Sequence, residues 1–111
     1  MEILEQRQGA VTVLKPLGPL SQEDAELFKK RLHDVLNKSL GRFVVDVSAV
    51  PYVDSLGLEA FVDVTEVLAQ SGQALKVCAA NDTLREVFDL TEIMSMLETF
   101  EDVNSAVRSF L

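Results

Sequence analysis

Two hydrophobic rhythms alternate along this chain. Short runs rich in β-branched and aliphatic side chains, at Ala10–Leu14, Phe43–Val47 and Ala74–Ala80, are separated by stretches in which apolar positions return every three or four residues. Glu2 to Gln8 alternates weakly, and Gly9 between it and Ala10–Leu14 marks a tight turn, so the chain is expected to open with a hairpin. Pro16, Gly18 and Pro19 then break the pattern. Ser21 with Asp24 three residues later reads as a capping box for a helix reaching about Lys38. Its Ala25, Phe28, Leu32, Val35 and Leu36 should face the sheet, with Lys29, Lys30, His33 and Asn37 on the other side.

Arg42 to Val47 is too continuously apolar for a half-exposed strand and is expected to be central and parallel. Ser48 to Val53 reads as a loop and Leu58 to Gln70 as a helix, with Leu58, Phe61, Val62, Thr65, Leu68 and Ala69 as its inner stripe. Glu59, Asp63, Glu66 and Gln70 form its polar stripe. Leu56, Ala60, Val64 and Val67 make a further apolar row at an angle to the first. That row either packs under a neighbouring helix or exposes its leading end, Leu56 with Ala60, for a partner whose basic surface Glu59 and Asp63 would select. Ser71-Gly72 ends the helix, Ala74 to Ala80 forms the next strand, and Asn81 or Asp82 caps a third helix containing Leu84, Val87 and Phe88. Leu97 to Phe100 reads as a last strand, and Glu101 to Leu111 as a closing helix with acidic residues in its first turn. The order predicts an α/β fold: a small mixed sheet of four or five strands packed against four helices, as one domain spanning residues 1–111.

Composition narrows the function. With 18 acidic against 10 basic side chains, the formal charge of −8 repels nucleic-acid backbones and anionic lipid surfaces, so the expected partner is a protein. Cys78, the single cysteine, allows no internal disulfide and is expected to be buried and inert in its strand. The first eight residues lack the basic start and apolar core of a secretion signal, and no stretch approaches the roughly 18 apolar residues of a membrane span. A soluble, cytoplasmic protein is the expectation. His33, the only histidine, falls on an outward helical face without an orienting partner, which disfavours a serine–histidine–carboxylate triad. One cysteine and one histidine do not supply a zinc site, and neither GxGxxG nor GxxxxGK[ST] is present. Asp46 is read as a solvated strand end. No catalytic residue, metal or cofactor is therefore expected.

What remains is Asp54-Ser55-Leu56-Gly57-Leu58, placed between the central strand and a helix. Asp54 or Ser55 can be a plain N-cap, since both residue types are common there. Ser55 also falls where a helix start leaves backbone N–H groups unpaired, at the carboxyl edge of a parallel strand, a place that tolerates a phosphate.

Several segments, in order and at matching spacing, resemble the STAS domains, and among them the bacterial anti-sigma factor antagonists. Val11-Thr12-Val13 followed by Gly18-Pro19-Leu20 resembles the family's second strand and first turn, and Phe43 to Ser48 its central strand. Val53 to Leu58 is similar to its signature loop and Leu84 to Thr91 to its third helix. The resemblance implies a non-catalytic partner-switching regulator. Its unphosphorylated form would bind a serine kinase that doubles as an anti-sigma factor, phosphorylation of Ser55 would cancel binding, and a serine phosphatase would reset the switch. Ser21, Asp54, Ser55, Leu56, Gly57, Glu59, Ala60 and Asp63 are the partner-binding residues expected on this reading. Two positions depart from the family pattern: Ser21 stands where an acidic residue is usual, and Leu56 where a second small polar residue is usual. These departures favour the alternative, a non-phosphorylated STAS subunit of a lipid-transport or signalling assembly.

Overall fold

The computed structural model describes all residues, Met1–Leu111. Strands β1 (Glu2–Gln8) and β2 (Val11–Leu17) form the expected hairpin, in antiparallel register from Glu2↔Leu17 to Gln8↔Val11. Gly9 turns it with φ +64°, a left-handed geometry that meets no Cβ clash in glycine. β2 continues through Pro16 instead of breaking there. The missing donor is tolerated because β2 pairs with its second neighbour only over Thr12–Leu14.

That neighbour is β3 (Phe43–Asp46), followed in the sheet by β4 (Leu75–Cys78) and β5 (Leu97–Phe100). The order is β1-β2-β3-β4-β5, parallel from β2 onward, which makes the sheet mixed and five-stranded as the pattern predicts. β3 is central, and all of its residues are buried. Its continuous apolar run is explained by cover on both faces. Phe43 and Val45 join Leu75 and Val77 beneath α1 (Gln22–Ser39), α2 (Ser55–Ala69) and α3 (Asp82–Leu90). Val44 and Cys78 point the other way, to Val11 and to Ala106 of α4 (Val103–Arg108). Phe28, Phe61 and Phe88, one from each of α1, α2 and α3, are locked in a row with ring centroids 5.4 Å apart in tilted and edge-on pairs.

Several element ends differ from the sequence reading. α2 starts at Ser55, three residues early, because Asp54 caps it. β4 stops at Cys78 because Ala79 adopts φ +62°. α4 begins after Asp102, whose Oδ1 accepts from the Ser105 amide at 2.7 Å, so the acidic pair precedes the first turn instead of occupying it. Asn81 is the cap of α3, accepting from the Leu84 amide at 2.8 Å.

The inward face of α2 lies between the two apolar rows. Phe61, Thr65 and Leu68 of the expected stripe are buried, Leu58 and Val62 are half-buried, and Ala69 is exposed. Gly57, Ala60 and Val64 complete the buried face, because α2 is flanked by α1 as well as laid on the sheet. Buried Thr65 donates its hydroxyl to the Val62 carbonyl at 2.7 Å, so no polar atom is stranded. Asp46 is a correction: it is 7% exposed, not a solvated strand end, and its Oδ1 accepts from the Ser48 amide at 3.0 Å. His33 is half-buried instead of fully outward, and its side chain makes no hydrogen bond.

Candidate functional site

Two connections meet at the carboxyl ends of β2 and β3 and are zipped together by backbone hydrogen bonds. The Gly18 amide donates to Ala49 O, Leu20 N–H to Tyr52 O, and Asp54 N–H back to Leu20 O, each at 3.1 Å. Leu20 and Val53 thus form a short parallel bridge, with the Leu20 side chain fully buried beneath it. From the other side, Asn81 Nδ2 donates to the carbonyls of Val50 (3.2 Å) and Pro51 (3.4 Å). The loop that delivers Ser55 is held on both flanks.

Asp54 closes the platform. Its Oδ1 accepts from the Gly57 amide at 2.9 Å, capping α2, and its Oδ2 accepts from the Gln22 amide at 2.9 Å, the first residue of α1. One carboxylate therefore satisfies a donor at each of two helix starts. The Gly57 amide first, then that of Gln22, holds this carboxyl below its ordinary range. Gln22 accepts a left-handed φ of +52° in reaching it.

This arrangement corrects the role expected of Ser21. Ser21 is the N-cap of α1 by backbone position, yet its side chain makes no capping bond. The Asp24 amide it would have taken is bonded instead to the Ser21 carbonyl at 3.1 Å. The expected capping box is replaced by an acceptor 32 residues away.

Ser55 is the first residue of α2 and is exposed, and its hydroxyl has no hydrogen-bond partner. Leu56 beside it is 39% exposed, and Tyr52, which periodicity did not single out, is 50% exposed on the same loop. Gly57 lies beneath them, buried. A Cβ there would overlap the Leu20 carbonyl oxygen and come within 3.2 Å of the Leu20 and Val53 side chains, so glycine is required for α2 to meet the bridge. Glu59 is exposed on the next turn.

Two expected contact residues are placed otherwise. Ala60 is fully buried, so only Leu56 of the leading pair reaches the surface. Asp63 is not a free charge: its carboxylate meets Lys29 of α1 at 2.6 Å, and Lys29 lies in the α1–α2 seam, not on the outward face. Asp63 first, with Glu26 and Glu59 adding, raises the Lys29 pKa. The seam beside Ser55 is thus acidic overall.

Ser21, Asp54, Ser55, Leu56 and Gly57 lie together on this platform. Leu20, Gln22, Tyr52 and Asn81 belong to it as well. Asn81 carries a readable signal as a helix cap, whereas the backbone roles of Leu20 and Gln22 depend on a long-range pairing with no local signature. No group of three or more His, Cys, Asp or Glu side chains is placed to hold a metal ion, and no helix is long and apolar enough to cross a membrane.

Comparison with known proteins agrees with this architecture. BtrV of Bordetella bronchiseptica, provisionally named an anti-sigma factor antagonist, is 26% identical over 93 residues, covering 84% of this chain and 80% of its own. The crystal structure of a Thermotoga maritima protein, provisionally named in the same way, superposes with a TM-score of 0.87 at 25% identity, covering 96% of this chain and 92% of the other. The Bacillus cell fate determinant SpoIIAA in its phosphorylated form shares the fold, with a TM-score of 0.71 at 12% identity over 97% of this chain and 99% of that one. The STAS domain profile matches residues 3–106, and with that match over nearly its whole length the chain belongs to the STAS domain family.

Proposed function

We propose that this protein is an anti-sigma factor antagonist without catalytic activity of its own. It binds a serine kinase of the anti-sigma factor class over the Ser55 platform, phosphorylation of Ser55 ends the binding, and a serine phosphatase restores it. The observation that carries this reading is that the platform is fixed entirely by backbone amides, Asp54 and Asn81, while the Ser55 hydroxyl is exposed and structurally unused. A phosphate can be added there without breaking a bond of the fold.

The electrostatics support a switch read by a partner. A phosphoserine carries about −1.5 to −2 charges at neutral pH. At a helix start the macrodipole favours such an anion by roughly 0.3 to 1 kcal/mol, which Asp54 and Glu59 offset in part. A partner packed over Leu56 and Tyr52 would instead have to desolvate or match the new charge.

The test is phosphorylation by the cognate kinase with ATP, mapped by mass spectrometry, alongside binding by wild type, Ser55→Ala and Ser55→Asp. A single phosphate on Ser55 is expected. Ser55→Ala should bind as wild type, and Ser55→Asp at least tenfold more weakly, a loss of about 1.4 kcal/mol. Phosphate that persists in Ser55→Ala, or equal affinity of all three proteins, would overturn the reading.

A further inference from the structure

At the opposite pole of the sheet from Ser55, the amino-terminal ends of β2, β3 and β4 open into a basin of about 530 Å³. Its charge contradicts the chain as a whole. In a protein of net charge −8, Arg7, Lys38 and Arg42 converge there, and none of the three is paired with a carboxylate. The one acid in the lining, Glu5, is already engaged by Arg31 at 3.1 Å. The three cations come from different elements: β1, the end of α1, and the residue before β3. The hairpin register sets Arg7 opposite Thr12, and the Thr12 amide donates to the Arg42 carbonyl at 3.1 Å, so the rim is built on paired backbone. The Thr12 hydroxyl and the side-chain amide of Gln73 line the basin without hydrogen-bond partners in the protein.

Holding three like charges together costs energy that other parts of this fold avoid by pairing, as at Lys29–Asp63 and Lys76–Glu98. An anion of several charges would remove that cost. Two guanidinium forks and an ammonium suit phosphoryl oxygens. The only apolar residues in the lining are Ala10 and Leu40, so no aromatic face is offered to a base. The geometry points to a binding site for a base-free phosphate polyanion, of the pyrophosphate or tripolyphosphate class, held by Arg7, Lys38 and Arg42. It is a second site, independent of the Ser55 platform.

The test is calorimetric titration of the full chain with pyrophosphate, tripolyphosphate, orthophosphate and ATP at fixed ionic strength, with amide chemical-shift mapping of the wild type. Saturable binding is expected, at least tenfold tighter for tripolyphosphate than for orthophosphate, with shifts centred on Thr12, Arg42 and Gln73. Lys38→Gln/Arg42→Gln should weaken it at least tenfold, while Lys15→Gln/Arg85→Gln, which removes the same charge elsewhere, should leave it unchanged. Absence of saturable binding, equal weakening in both double variants, or shifts centred on Ser55 would overturn the site. ATP binding tenfold tighter than tripolyphosphate would overturn the base-free assignment. The shift map needs no variant, so a variant that fails to fold does not shield the proposal.

Discussion

Asp54 and Gly57 do opposite jobs at one junction. Asp54 adds two acceptors, and Gly57 withholds a side chain so that the helix start can reach them. Gly57→Ala is expected to destabilise the fold by about 1–3 kcal/mol in urea unfolding, the cost of forcing a methyl group into packed backbone. Asp54→Ala should lower the melting temperature and do so in a pH-dependent way. Its carboxyl titrates below the ordinary 3.8 in the folded chain, so its contribution is whole above that pH and fades as the pH falls through the lower folded value. The gap in stability between wild type and Asp54→Ala should therefore be constant from pH 7 to about 5 and close in strong acid. A gap that does not narrow as the pH falls below 3.8 would show that the carboxylate charge is not what stitches the loops. Asp54 as a cap is readable from its place before an apolar helix. Its second bond, to Gln22, is not, because nothing in residues near position 22 announces a donor turned toward a loop 32 positions on.

For α2 as an element, periodicity located the helix and its register but not the width of its buried face. A helix lying only on a sheet buries one stripe, and one flanked by α1 as well buries part of the next, which is why Ala60 and Val64 are inside and Ala69 is out. The same flanking explains Lys29: its place on the outer side of α1 in projection becomes a seam position once α2 supplies Asp63. The strands were legible because their apolar runs are local, whereas Pro16 misled because its tolerance depends on where pairing with β3 ends. Leu56 is the element's one leading apolar side chain at the surface, which gives it a separable role. Leu56→Asp should leave far-UV circular dichroism and melting temperature near wild type while abolishing capture of the proposed partner. A melting temperature lowered by more than about 4–8 °C, the shift that roughly 1 kcal/mol produces in a domain of this size, would mean the side chain is part of the core.

Across the whole molecule, the two faces of the sheet are unequal. Three helices and the phenylalanine row fill one side, while a single short helix covers Val11, Val44 and Cys78 on the other. Burial first, and then the charges of Asp46 and Asp102, push the Cys78 thiol up from 9.0 to about 12. Native protein at pH 8 should not react with a thiol reagent until denaturant is added. Stability should also fall as pH rises between 9 and about 12, because the unfolded chain ionises its thiol there and the folded chain does not. Cys78→Ala should remove that alkaline slope, and a slope unchanged by the substitution would assign it to other groups.

The in-order sheet, β1-β2-β3-β4-β5, bears on how the chain is made. Each strand finds its partner in the strand synthesised just before it, so a nascent chain leaving the ribosome never has to hold an edge open for a segment not yet translated. The Leu20–Val53 bridge and both Asp54 bonds are available once α2 has emerged, and only the Asn81 clasp waits for the turn after β4. The Ser55 surface is thus due to take shape before the last third of the chain has left the ribosome, and stalled chains carrying a C-terminal linker long enough to place all of α2 outside the exit tunnel, but ending their native sequence before Asn81, should already protect Gly57 and Gln22 amides from hydrogen exchange.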